Sequence, residues 1–209
     1  MKAVICAAGF GTRLKQNIPK SMIMIDGKRI IDYQLKALKN YEEIYVVVGF
    51  RSNLIIEHLK KNSNVKFIIN NEPNLGIKHT MCLIANEINE LSLIIDGDMI
   101  INGELPLFNH EFIGIRTPIS QRPVYCEIDK DQVSSLGSKK SDQELAHIYC
   151  INPRDHDWNT ELVYDTLTRS LPKPFVKFDS FKIDTPESKR DSYAWLKKSL
   201  NTLSLLFRA

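Results

Sequence analysis

Cysteine is sparse, with four in 209 residues, at Cys6, Cys82, Cys126 and Cys150, and no CxxC pair among them. That spread excludes a disulfide framework and a zinc knuckle, and it reads as reduced thiols in a cytoplasmic protein. No apolar run approaches the ~18 residues of a membrane span, so no membrane partner is expected. The first apolar run stops at Gly9, too short and too abruptly glycine-rich for a secretory signal. An excess of one charge is also missing. The chain holds 28 basic and 25 acidic side chains, a net charge of +3, with no long block of either sign. A protein that coats nucleic acid carries more, so no nucleic-acid partner is expected. Repeats, low-complexity linkers and coiled-coil heptads are absent, and the oligomeric state stays open. The length exceeds the ~150-residue prior for one domain without reaching two. One domain over residues 1–209 is expected, burying roughly 70% of its unfolded surface.

What is present alternates. Lys2 to Ala8 is an unbroken apolar run of strand length, as in a strand covered on both faces. Ile31, Leu35 and Leu38 then form a helical stripe. A second strand is expected at Ile44 to Val48, and a helix capped by Asn53 after it. Val65 to Ile69, a stripe from Ile77 to Ile88, and Ser92 to Ile95 continue the rhythm. Strands separated by helices of about ten residues are βαβ units. The expected class is therefore α/β, a Rossmann-like and mostly parallel sheet flanked by helices. Beyond residue 103 the pattern turns antiparallel in flavour, with strands expected at 111–116, 123–128 and 146–151. A helix capped by Asn159 or Thr160 is expected next. Thr185 then caps a closing helix, with Pro186 at its first position and an end near Leu200.

Three segments are suited to chemistry. Ala7-Ala8-Gly9-Phe10-Gly11-Thr12-Arg13 follows the first strand, and Pro19-Lys20 comes soon after. Glycines there let backbone N–H groups approach a phosphate, since no Cβ intervenes. Gly9-x-Gly11 alone also recurs in plain tight turns. It is neither the dinucleotide fingerprint, because Leu14 stands where the third glycine would be, nor a P-loop. Arg13 adds a bidentate fork and Lys20 a point charge, both suited to a polyphosphate. Asp96-Gly97-Asp98 ends a buried strand, where open α/β sheets bind ligands and Mg²⁺. Asp-Gly is equally a common turn. Asp184 precedes Thr185-Pro186-Glu187, which by itself is a good helix start.

Together, the glycine loop with Pro19-Lys20, then Asp98, then Ile183-Asp184-Thr185-Pro186-Glu187, resemble the nucleotidyltransferase superfamily of sugar-phosphate and alcohol-phosphate enzymes. The resemblance is strong over residues 1–102, moderate over 181–200 and general between them. It implies a nucleotide-binding part (1–102), an acceptor-binding part (103–180), and a metal-ligand strand end with a C-terminal helix (181–209). It implies that Ala7, Ala8, Gly9, Gly11 and Thr12 hold the triphosphate. Arg13 and Lys20 would stabilise the transferring phosphates, and Asp98 and Asp184 would hold Mg²⁺. The short interval from Arg13 to Lys20 resembles the cytidylyltransferases, which favours CTP as the nucleotide partner and CMP as the group transferred.

The region of the base corresponds to Asn70–Thr80, with Gly76 and Thr80 as candidate contacts. Ile77, Lys78 and His79 replace the family's small residues there. His79 reads as a solvated residue as readily as a ribose or phosphate contact. Tyr149, Asn152, Arg154 and Trp158 are candidates for a small phosphorylated acceptor: a sugar phosphate, phosphocholine or a phosphonate. Trp158 reads equally well as core. The product would be an activated precursor for surface polysaccharide or lipid decoration. Two other readings stay open. Asp96-Gly97-Asp98 matches the DxD metal motif of a GT-A-type glycosyltransferase, and the fold also suits a non-catalytic nucleotide-binding module.

Overall fold

A computed structural model describes residues 1–159 and 162–206, with side chains up to Lys198. β1 (Lys2–Ala7) leads through the glycine loop to a hairpin of β2 (Met24–Ile25) and β3 (Lys28–Arg29). Its turn is Asp26-Gly27, both at positive φ, the pattern that suits the right-handed twist of paired strands. Then follow α1 (Ile30–Ala37), β4 (Glu43–Val48), α2 (Ser52–Leu59), β5 (Val65–Ile69), α3 (Gly76–Glu87) and β6 (Ser92–Asp96). The second half holds β7 (Met99–Ile101), β8 (Phe112–Arg116), β9 (Tyr125–Asp129), β10 (Gln132–Gly137) and β11 (Glu144–Ile151). α4 (Val163–Thr168), β12 (Lys173–Lys177), β13 (Ser180–Lys182) and α5 (Pro186–Leu206) complete it.

One sheet of nine strands, in the order β5-β4-β1-β6-β11-β8-β12-β10-β9, runs through both halves. Its first four strands are parallel, as the βαβ rhythm implies. β11 runs antiparallel between β6 and β8, and it also touches β9, so the second half curls back on itself. β12 lies parallel to β8, a departure from the antiparallel expectation for this half. The reason is topological: β9 to β11 form the crossover between them.

Alternate residues of β1 feed opposite faces. Ala3 and Ile5 pack beneath α1 and α2 with Ile31, Leu38, Ile55 and Leu59. Val4 packs beneath α3 with Met81, Ile84 and Ile88. That two-sided cover explains the unbroken apolar run. A third, smaller cluster joins Leu14, Ile23, Ile25, Ile30, Ile100, Phe181 and Ile183, with Trp195 against it. In the second half, Glu144 accepts a 2.7 Å hydrogen bond from Arg116 Nε, an almost wholly buried pair that ties β11 to β8.

Two helix starts differ from expectation. α2 begins at Ser52 after Arg51, which adopts the left-handed conformation, so Asn53 lies inside the first turn. α4 starts after Leu162, so Asn159 does not cap it, while Thr160 lies outside the described residues. The closing helix starts as expected, with Ser188 N–H donating to Thr185 Oγ1 at 3.1 Å, but it continues to Leu206. No helix among the described residues is long and apolar enough to cross a membrane.

Candidate active site

The carboxyl ends of β1 and β6 lie side by side and open into a cleft of about 560 Å³. Gly11, at φ 64°, turns the chain leaving β1 into a short helical turn over Thr12–Leu14, which carries Arg13. A second short turn, Lys20–Met22, carries Lys20. Opposite them Gly97 N–H donates to Cys6 carbonyl at 2.9 Å. A Cβ on Gly97 would lie 2.5 Å from that same oxygen, so the approach of β6's end to β1 requires glycine. Asp96 and Asp98 flank Gly97, and both line the cleft.

β13 crosses this point. It pairs antiparallel with β7, and Ile183 N–H donates to the Asp98 carbonyl at 2.8 Å. Alternate residues of an extended segment share a face. Ile183 is fully buried, while Lys182 and Asp184 on either side of it face the carboxylates and ammonium of the cleft.

The site therefore contains two charge clusters. In the first, Lys20 Nζ lies 2.8 Å from Asp98 Oδ2 and also bonds Asp184, which in turn pairs with Arg13. Burial alone would raise the Asp184 carboxyl, but the Lys20 hydrogen bond and the Lys20 and Arg13 charges outweigh it and hold it low. Burial likewise works against the Lys20 ammonium, yet Asp98 and Asp184 together raise it. Asp98 Oδ1 is buried with no hydrogen-bond partner among the described residues. An orphaned carboxylate oxygen beside a second carboxylate is a fitting ligand pair for Mg²⁺, which uses one or two carboxylates plus water and phosphate oxygens. No group of three metal-capable side chains exists among the described residues.

In the second cluster, Asp96 Oδ2 lies 3.1 Å from His147 Nδ1 and 3.5 Å from Lys182 Nζ. Lys182 Nζ is also 3.3 Å from His147 Nε2, and Tyr149 Oη donates to Asp96 Oδ1 at 3.3 Å. Burial opposes ionisation of Asp96, but the His147 hydrogen bond and the Lys182 charge hold its carboxyl far below the usual range. Burial, then the Asp96 charge, pushes the Tyr149 hydroxyl well above its ordinary value.

Of the residues singled out in the sequence, the cleft brings together Ala7, Ala8, Gly9, Gly11, Thr12, Arg13, Lys20, Gly76, Thr80, Asp98 and Tyr149. Asp184 joins them through Lys20. Gly76 opens α3 at φ 77°, and buried Thr80 accepts from Asn70 Nδ2 at 3.1 Å. His79 is half-buried and does not line the cleft.

Three acceptor candidates are placed elsewhere, each with a local reason. Asn152 starts the turn Pro153–Asp155, accepting from Arg154 N–H at 3.3 Å. Arg154 donates to the carbonyls of Ala85 and Asn86, both at 3.0 Å, and so satisfies the carboxyl end of α3. Trp158 is 5% exposed in the core, its Nε1 donating to Pro153 carbonyl at 2.7 Å. Sequence reasoning missed His147 and Lys182. Lys182 was visible as the residue two before Asp184, at the end of β13. His147 was not, because it reaches the cleft from a register shift in β11, at φ 56°.

The model of the MobA-like NTP transferase domain matches residues 3–105. The bifunctional protein GlmU of Methanococcus maripaludis is 40% identical over 104 residues, which is 48% of this chain and 25% of that protein. The match thus spans a quarter of that relative's length. Among solved structures, the CTP:phosphocholine cytidylyltransferase of Streptococcus pneumoniae superposes with a TM-score of 0.75 at 20% identity. That superposition covers 93% of this chain and 98% of the other. The inositol-1-phosphate CTP transferase of T. maritima does so with a TM-score of 0.74 at 15% identity, covering 95% of each. These superpositions show a shared fold over both halves of the chain. Over residues 3–105 the chain is thus similar to MobA-like NTP transferase domains, and over both halves it shares the fold of these two CTP-using enzymes.

Proposed function

We propose that this chain transfers a nucleotidyl group, CMP in first place, from a nucleoside triphosphate to a small phosphorylated acceptor, releasing pyrophosphate. The observation that carries the reading is Lys20, seated beside the glycine loop and bonded to both Asp98 and Asp184. An oxygen of the acceptor phosphate attacks the α-phosphorus in line, and the bond from that phosphorus to the α,β-bridging oxygen breaks. The acceptor oxygen is already anionic, so no protein nucleophile is required. Positioning and charge stabilisation are what the protein supplies.

In this reading Ala7 to Thr12 receive the triphosphate on backbone N–H groups, and Arg13 and Lys20 draw charge from the transferring and leaving phosphates. Asp98 and Asp184 hold Mg²⁺, which when bound neutralises phosphate charge. Gly76 and Thr80 of α3, which line the cleft, are the contacts for the base in this reading. CTP is supported by the fold shared with two CTP-dependent enzymes and by the short Arg13–Lys20 interval. The product would serve as an activated precursor for surface decoration, made in the cytoplasm, where nucleoside triphosphates are found. The DxD reading fares worse, because Asp96 is already engaged by His147, Lys182 and Tyr149.

The test is pyrophosphate release with each nucleoside triphosphate, Mg²⁺ and a panel of phosphate monoesters. Release is expected with CTP, falling about 10²–10³-fold in Lys20→Ala and in Asp98→Ala, the loss typical of a transition-state charge contact. Silence with every pairing overturns the proposal. Hydrolysis of a nucleoside-diphosphate sugar would favour the glycosyltransferase reading instead.

A further inference from the structure

The proposed handling of the triphosphate leaves the second charge cluster without a role, and its geometry assigns it a task. Lys182, Asp96, His147 and Tyr149 line the same cleft as the glycine loop, linked by contacts of 3.5 Å or less. Each acceptor atom in the cluster has a donor. Asp96 Oδ1 takes Tyr149 Oη, Asp96 Oδ2 takes His147 Nδ1 and Lys182 Nζ, and His147 Nε2 takes Lys182 Nζ. An ammonium has three N–H donors. Asp96 and His147 account for two, and the third belongs to whatever enters the cleft.

The cost of building the cluster also argues for a ligand. His147 sits at φ 56° on a β-strand, an uncommon conformation for a residue with a Cβ, and β11 loses register around it. Such distortions gather at sites that bind or react. A salt bridge needed only for stability would not require a bulge to bring a histidine to Lys182.

We infer that Lys182 is the binding cation for the acceptor's phosphate, with Asp96 and His147 as positioning residues that fix its ammonium. The inference rests on the nucleotidyl-transfer reading above. In-line attack requires the incoming phosphate on the side of the α-phosphorus opposite the leaving pyrophosphate. The first cluster joins Arg13 and Lys20 of the glycine-loop segment to Asp98 and Asp184, whereas Lys182 pairs with Asp96 of β6 and His147 of β11. The second half also gives the cleft apolar lining from Val124, Leu145 and Val163. The ligand class is thus a phosphate monoester whose phosphate meets Lys182 and whose carbon body rests on that lining. Asp96 is accordingly a positioning residue and not a metal ligand, although it stands in a DxD pattern.

Calorimetric titration tests this on the whole chain. The probes are inorganic phosphate, phosphocholine, glucose 1-phosphate and inositol 1-phosphate, each with and without Mg²⁺-CTP, and Mg²⁺-CTP alone. At least one monoester is expected to bind the wild type. Its affinity should fall tenfold or more in Lys182→Met, several-fold in His147→Gln and in Asp96→Asn, and recover in Lys182→Arg. Affinity for Mg²⁺-CTP should stay within twofold throughout, which also shows that each variant is folded. Failure of every monoester to bind the wild type overturns the inference, as does unchanged affinity in Lys182→Met. A loss of CTP affinity in place of monoester affinity overturns it too, assigning Lys182 to the nucleotide. If monoesters bind through Lys182 but no triphosphate yields pyrophosphate, the transfer reading fails while the phosphate subsite stands.

Discussion

His156 shows how one side chain sets a response of the whole protein. Its ring packs 5.5 Å from that of Trp158, its Nε2 is buried without a hydrogen-bond partner among the described residues, and burial holds its imidazole below the ordinary value. Nearby Lys173 lowers it further, while Glu111 and Asp155 raise it by less than burial takes away. A base whose folded pKa is depressed takes its proton first in the unfolded chain. Stability therefore falls as pH drops through about 6.5 and levels off below the folded value. Urea midpoints between about pH 7.5 and about pH 5.5 should show that fall, and His156→Gln should flatten it. Residues of this kind are hard to read from a sequence. Arg13, Lys20, Asp98 and Asp184 were legible because each stands at a fixed offset from a glycine, a strand end or a helix cap. Arg154 and Trp158 look just as functional in one dimension. Only the structure shows the guanidinium on the last carbonyls of α3 and the indole in the core.

Among the elements, the glycine loop and the end of β6 present two glycines with opposite duties. A Cβ on Gly9 meets nothing within 4 Å, whereas one on Gly97 would lie 2.5 Å from the Cys6 carbonyl and 2.9 Å from Ala7 Cα. Gly9→Ala should leave the melting temperature unchanged and raise the KM for nucleoside triphosphate about tenfold, near 1.4 kcal/mol of lost binding. Gly97→Ala should lower stability by about 1–3 kcal/mol, the usual cost of forcing an overpacked contact. Thermal melts and steady-state kinetics on both variants separate the duties, and a wild-type KM in Gly9→Ala would remove the loop from the nucleotide. The strands and helices of the first half were legible because apolar runs and stripes there agree with turn residues. The short β2–β3 hairpin, β7 and β12 were not. Two or three residues carry no period, and β12 places Pro174 within a five-residue strand.

At the scale of the molecule, the α/β class could be read from the alternation of elements, but not the order of strands. Nothing in one dimension says that β11 inserts beside β6, and that seam makes one sheet of two halves. Nor does it show how the site is supported. Arg13 and Asp184 are 171 positions apart, and Lys20 and Asp184 are 164 apart. What brings them together is the small third cluster, where Leu14 and Ile23 from the loop meet Phe181 of β13, Ile183 just after it and Trp195 from α5. β13 pairs with β7 alone and takes no part in the nine-stranded sheet. Proteins open in cooperative units of unequal stability, and a small cluster beside two large ones is the first to open. In rising urea, pyrophosphate release should therefore disappear before the far-UV circular dichroism changes, and coincident transitions would show the cluster to be part of one unit. A chain emerging from the ribosome would meet the same arrangement in reverse: the sheet can assemble while the charges of the cleft are still apart. Under the proposed function, competence would then arrive as a separate, late event, when β13 docks and brings Asp184 to Lys20.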